Sequence, residues 1–363
     1  MTASEAIQDD AIRNSVFLQR YNKRTLRKII NALNRSADRI ATEISKRDPG
    51  GDTFTDRRLQ LLFDAVKDIN ADAMRVLQKT TTEDARALAT VESEGLTVSI
   101  NKAVPVNLNT ITPAPNQLWA AVNSRPFQGR FLRDYFRDLP QTTFRRIKDE
   151  ITMGFIEGRT TDQIVRDIRG TARNRYKDGI IEINRRSATT VVRTALNHTA
   201  NAARNETYRQ NADLIKGVKW VSTLDGRTSA VCRARDGQVY DLDKGPRPPA
   251  HPNCRSTTTP VLKSWKELGI SLRDAPEGTR ASLNGQVPAA ETYQSWLEKQ
   301  DKAFQDEVLG PTRGKLFRGE PIAPGGDAPA KLTLDRFVDK SGDEYTIDQL
   351  RRRYGEAFER AEV

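Results

Sequence analysis

Three of the four cysteine and histidine residues in this chain fall close together: Cys232, then the run His251-Pro252-Asn253-Cys254. A thiolate, an imidazole and a second thiolate are soft or borderline ligands of the kind that tetrahedral zinc takes. Asp225, Asp236 or a water molecule would have to supply the fourth position. In so short a stretch an ion would hold the fold together, because metal-binding energy becomes folding energy. Two plainer readings stand beside this one. The cysteines also read as small buried apolar side chains, or as a disulfide, which assembly in a reducing compartment disfavours. The remaining histidine, His198, sits among alanines in a helical stretch and reads as a core or surface residue.

Other chemistry-bearing motifs fail. There is no HExxH, GxSxG or GxGxxG. Gly310-Pro-Thr-Arg-Gly314-Lys315 has one residue too few for a phosphate loop, and Leu316 stands where a hydroxyl is required. Asp241-x-Asp243-x-Gly245 begins like a calcium loop, but Pro246, Pro248 and Pro249 break its register. Two cysteines are too few for a four-cysteine metal site or a disulfide-stapled scaffold.

The elements that must position these residues change character along the chain. Residues 217–262 form a small module: Val218 to Thr223 is strand-like, Asp225-Gly226 is a turn, and Asp236-Gly237 precedes a short strand at Gln238-Val239-Tyr240. Four prolines between Pro246 and Pro252 then force an irregular loop. Upstream the pattern is helical. Residues 1–95 carry apolar positions such as Val16, Phe17, Leu26, Ile29, Leu33, Ile40, Leu62, Val66, Ile69, Val76 and Leu77 at helical spacing, interrupted at Pro49-Gly50-Gly51. They read as a hairpin closing on the body more readily than as a free docking arm. Residues 125–219 predict a helix ending near Gly158, a second one capped by Thr160 and Gln163, and a long third one from about Ile181 to Gln210. In the tail, Trp265 and Leu268 suggest a short helix, Tyr293 to Leu309 a longer one, and Thr346 with Gln349 cap a last one.

The fold class is therefore mainly α with a small α+β module. A helical N-terminal arm over 1–95 leads through an extended connector over 96–124 to a unit over 125–262. That unit joins a helical block to the short-stranded, proline-rich module, for which metal stabilisation is one of the readings above. A mixed α/β tail over 263–363 follows. The charge-free run 103–124 is long enough to span a bilayer, but Pro105, Pro113, Pro115 and four asparagines would leave backbone groups unpaired there. The first ten residues are polar and acidic, unlike a secretory signal.

The formal charge is +11, and residues 125–219 hold 20 Lys and Arg against 11 Asp and Glu, so most of the excess lies in that block. Arg145, Arg146, Lys148, Arg173, Arg175, Arg185 and Arg186 are the candidates for phosphate contact with DNA, sequence-neutral and salt-sensitive. The plainer alternative is a solvated face with local ion pairs.

At this point the residues become recognisable. Trp220-Val-Ser-Thr-Leu-Asp225-Gly226-Arg227-Thr228, then Cys232, Asp236-Gly237, and Pro248-Pro249-Ala-His251-Pro252-Asn253-Cys254-Arg255 together resemble the phage Mu F-like head morphogenesis family. These are minor head, or minor capsid, proteins of tailed phages and prophages. The lead-in helix through Arg193, Asn201, Arg204 and Tyr208 and the tail around Trp296 and Gly310 are similar too, so the resemblance spans about residues 125–350. Ser256 stands where many members carry a further cysteine.

The resemblance implies a structural minor head protein that enters the procapsid with or near the portal. Its partners would be the portal protein, the major capsid protein or a scaffolding protein, and packaged double-stranded DNA touched without sequence specificity. It would assemble in the host cytoplasm and reside in the procapsid and virion interior, with no membrane step and no catalysis. The alternative is a zinc-dependent nuclease or other metal hydrolase of the phage head, with His251 or an aspartate as base. An appended C-terminal toxin is disfavoured, because the tail lacks a paired-glutamate signature.

Overall fold

Two long amphipathic helices lie antiparallel at the start of the chain, α1 (Ala3–Lys46) and α2 (Asp56–Ala103), in a computed structural model that describes residues 3–47, 56–103, 109–269, 278–323, 326–355 and 358. Leu26, Ile29, Leu33, Ile40 and Ile44 of α1 meet Leu62, Val66, Ile69, Ala73 and Leu77 of α2, all buried. The expected break at Pro49-Gly50-Gly51 lies outside the described residues. Three expected stripe positions, Val16, Phe17 and Val76, are exposed. Near Val16 and Phe17 the hairpin is joined by a polar pair, Asn14 on Glu92 at 2.7 Å, and the apolar residues turn outward.

The hairpin is no free arm. α3 (Pro115–Ser124), α4 (Leu132–Ile156), α5 (Thr161–Arg169) and the long α6 (Ile180–Gln210) complete a helical body against it. Ala188, Val192, Ala195, Ala202 and Ala203 of α6 share one core with Leu77, Ala85, Leu88 and Ala89 of α2. Small side chains allow this close approach. A second core unites Ile40 and Val66 with Ile147, Ile151, Ile164, Ile168 and Ile181. The Thr160–Gln163 capping box forms as the sequence indicates, and Gly170 ends α5 at φ +89°.

Both described ends of the connector expected to be extended over 96–124 are helical. Residues 96–103 finish α2, and Pro115 opens α3, where a fixed φ and a missing N–H suit the first helical turn. Gln117 accepts a hydrogen bond from the Ala114 N–H at 3.0 Å and closes that end.

Beyond α6 the chain forms β1 (Ile215–Val221), α7 (Ala230–Arg235), β2 (Val239–Tyr240) and β3 (Thr257–Leu262). The antiparallel sheet has the order β2-β1-β3, with Trp220 opposite Thr258. Pro260 is accommodated because β3 is an edge strand. In the tail, the hairpin of β4 (Thr279–Ser282) and β5 (Gly285–Pro288) precedes α8 (Tyr293–Glu298), α9 (Lys302–Leu309), α10 (Pro311–Arg318), a 3-10 turn at Leu334–Phe337, and α11 (Ile347–Arg353).

Two tail expectations change. Trp265 to Leu268 is a turn held by Glu267 on the Ser264 N–H at 2.6 Å. The long helix from Tyr293 is split, because the Asp301 side chain caps a new start at Phe304 N–H, 2.8 Å away. Among the described residues, no helix is long and apolar enough to cross a membrane.

Candidate functional site

Trp220 anchors the site. It is fully buried on β1, and its Nε1–H donates to Ser222 Oγ at 2.9 Å. Ser222 Oγ in turn donates to the Cys232 carbonyl at 2.8 Å and lies 3.1 Å from Ser256 Oγ. This chain fixes α7, and with it Cys232, against the sheet. Gly237 closes the turn after α7 at φ +83°, and its N–H donates to Trp220 O at 2.9 Å. A Cβ there would meet Thr292 at 2.8 Å, so both the conformation and the space require glycine.

The loop His251–Cys254 is folded down from the other side by α6. Asn197 Nδ2 donates to Cys254 O at 2.6 Å, and Thr194 Oγ1 accepts from the Asn253 N–H at 3.1 Å. These two contacts place Cys254 opposite Cys232.

Cys232, His251 and Cys254 each present a ligand atom within 4.8 Å of the others. Sγ to Sγ is 3.7 Å, and Cys232 Sγ to His251 Nε2 is 3.4 Å. Tetrahedral zinc with ordinary bond lengths would set these edges at about 3.8 and about 3.6 Å. The donor set therefore fits a metal ion. His251 Nδ1 lies 2.9 Å from Pro252 O; a proton there leaves the Nε2 lone pair facing the sulfurs. Both cysteines are free, and their separation is far beyond a disulfide bond.

Without a metal the three groups share protons unequally. Cys232 donates toward Cys254, which raises the Cys232 thiol, with burial adding to the rise. The same contact, then His251, holds Cys254 well below the ordinary thiol range, against the effect of burial. Cys254 correspondingly raises His251, which burial opposes. Metal binding takes deprotonated thiols and a neutral imidazole, so it would release protons here.

Neither aspartate offered as a fourth ligand joins the cluster. Asp225 is taken by Arg255, whose Nη1 and Nη2 donate at 2.6 and 2.7 Å. It also accepts from the Arg227 N–H at 3.0 Å and from Thr228 Oγ1 at 3.2 Å, so the Asp-Gly-Arg-Thr run is a self-bonded turn. Burial alone would raise the Asp225 carboxyl, but Arg255 and these N–H and O–H donors hold it below its ordinary value. Asp236 is buried against Arg280 at 3.0 Å and accepts from the Ser222 and Tyr293 N–H groups. Both carboxylates are engaged by arginine forks.

What does stand beside the cluster is Ser229, with Oγ 2.8 Å from His251 Nε2. Ser229 and Arg280 escaped the sequence reading. Ser229 carries its signal only in space, and Arg280 lies far down the chain from its partner.

The basic candidates divide into two groups. Arg175, Arg185 and Arg186 line one cleft of about 520 Å³ with Arg193 and Asn253, although Glu182 pairs with Arg185 and Arg186 at 3.3 and 3.1 Å. Arg145, Arg146 and Lys148 sit on α4 outside this lining. Arg146 donates to Ser187 Oγ at 3.2 Å, and Lys148 covers the Phe63 ring. Arg145 and Arg173 are exposed. His198 is a core residue, stacked on Phe127 with Nε2 on Val122 O at 2.9 Å.

Residues 145–259 match the family model described as Phage Mu protein F like protein. The match falls on the residues whose motifs resemble that family, and it is shorter than the resemblance over about residues 125–350. It runs from α4 into β3 and includes the whole Cys/His cluster. No curated protein and no solved structure matches the chain.

Proposed function

We propose that the chain is a structural head morphogenesis protein of a tailed phage or prophage, built into the procapsid near the portal protein and resting against packaged DNA. One observation carries this reading. Within the family-matched region, the carboxylates of Asp225 and Asp236 are locked to arginines, and the two thiols are buried at 2% and 4% exposure. Such a centre cross-links a fold.

Cys232, His251 and Cys254 would hold a structural zinc ion, with the Ser229 hydroxyl or water completing the set. The ion would tie α7 to the proline-rich loop, adding what so small a module cannot obtain from its own core. A metal hydrolase would need a free general base beside the ion; Asp225 and Asp236 are both turned to arginine forks, and His251 would itself be a ligand. The cleft lined by Arg175, Arg185, Arg186 and Arg193 supports phosphate contact that is indifferent to base sequence and falls steeply with salt.

The test is to purify procapsids after induction and identify their proteins by mass spectrometry. The chain should be found inside with the portal protein, and deleting its gene should abolish infectious particles. A chain found wholly outside the particles overturns the proposal.

A further inference from the structure

Toward the C-terminal end of α6, a cavity of about 360 Å³ opens between that helix, residues 125–128 and the loop 242–249. Three guanidinium groups line it, those of Arg125, Arg209 and Arg247. One carboxylate, Asp243, is paired with Arg209 at 2.8 Å.

The other two cations are not matched in this way. Arg247 donates to neutral acceptors, namely Asn205 Oδ1 and the carbonyls of Asp241, Leu242, Lys244 and Pro246. These bonds hold the proline-rich loop but leave the charge of Arg247 uncompensated. Arg125 Nη2 is buried and has no acceptor at all. A buried guanidinium nitrogen without an acceptor is an anomaly that a ligand would remove. Burial and then the charge of Arg209 lower the Arg125 pKa, with Glu206 opposing. Burial lowers Arg247 too, and Arg209 adds to it. His198, at the floor, is held neutral by burial and adds no charge.

We propose that this cavity is a phosphate-binding site, in which Arg125 and Arg209 hold a phosphate group and Arg247 adds positive potential. The arginine fork matches phosphate oxygens two at a time. Three cations against one lining carboxylate call for an anion of more than minimal charge. The phosphate could be free, as inorganic phosphate or a nucleotide, or part of a DNA backbone. The site is separate from the Cys/His cluster and does not depend on the assembly role proposed above.

The full-length chain is titrated calorimetrically with inorganic phosphate in low-salt buffer, and by fluorescence anisotropy with a labelled DNA duplex. Arg125→Gln and Arg209→Gln are compared with Arg75→Gln, an exposed α2 arginine of equal charge. Either site variant should weaken binding about tenfold or more, and Arg75→Gln should not. Loss of phosphate binding identifies a free phosphate; loss of duplex binding with no response to inorganic phosphate identifies the DNA backbone. Arg209 is partly exposed on its helix, so its variant keeps the test informative should Arg125→Gln fail to fold. If Arg209→Gln, and Arg125→Gln where folded, bind both ligands as Arg75→Gln does, or if neither ligand binds the parent protein, the site does not exist.

Discussion

Replacing Arg255 with glutamine removes the fork that holds Asp225. The pair is well enclosed, with side-chain exposures of 12% for Asp225 and 25% for Arg255, so solvent screens it only in part. Two charge-assisted bonds at 2.6 and 2.7 Å are lost, while the Arg227 N–H and Thr228 hydroxyl still support the carboxylate. Hydrogen bonds to charged groups contribute roughly 1.5–3 kcal/mol each, and with partial replacement by water the expected loss is about 2–3 kcal/mol at neutral pH. The pH dependence follows from the depressed Asp225 pKa. A carboxylate lowered on folding contributes stability that is fully present above its unfolded value of about 4 and is lost as pH falls through the folded value. The gap between parent and Arg255→Gln should therefore narrow as the pH is lowered below about 4. Urea unfolding followed by circular dichroism gives both numbers, and a cycle with Asp225→Asn should return a coupling of about 2 kcal/mol. A variant within about 0.5 kcal/mol of the parent at neutral pH, or an equal loss at both pH values, would show that the turn is held by its backbone alone.

Reductively purified protein should carry close to one equivalent of zinc by plasma mass spectrometry, and Cys232→Ser or Cys254→Ser should lose it and melt at lower temperature; under a tenth of an equivalent in the parent removes the zinc proposal. Arg280→Met strands Asp236 and should cost about 3–5 kcal/mol in urea unfolding, whereas adding Asp236→Asn should restore part of the loss; equal losses would assign the effect to packing. His198 is drawn down to about 4, first by burial, with the Val122 carbonyl opposing. The unfolded chain thus takes up a proton below about pH 6.5 that the folded one refuses, so roughly 3 kcal/mol of stability is lost between those values as pH falls. His198→Gln should flatten that part of the stability–pH curve, and an unchanged curve would mean that the ring is not neutral.

Features governed by near neighbours were legible in the sequence. Thr160 with Gln163 and Thr346 with Gln349 make the caps they indicate, and the alanines of α6 face another helix as their spacing requires. That Cys232, His251 and Cys254 come together was legible because these residue types are rare here and their chemistry is narrow. What distance in the chain conceals was missed. The strand at Thr257–Leu262 has no reading in the sequence: its backbone pairs with β1, and the threonines at 258 and 259 are buried. Asp225 and Asp236 look like ligands until Arg255 and Arg280 are seen beside them. Pro115, in a run expected to be extended, sits in the one helical turn that tolerates it.

The buried ion pairs also bear on how the molecule can be cut. Arg204 in α6 meets Glu92 of α2 at 2.8 Å, and Asp236 meets Arg280 of β4, so each pair has one member inside 145–259 and one outside it. Excising the shared family segment would leave a guanidinium and a carboxylate stranded in its interior. The segment is clasped by chain on both sides of it, so a piece meant to fold independently should reach from the N-terminal hairpin to the β4–β5 turn.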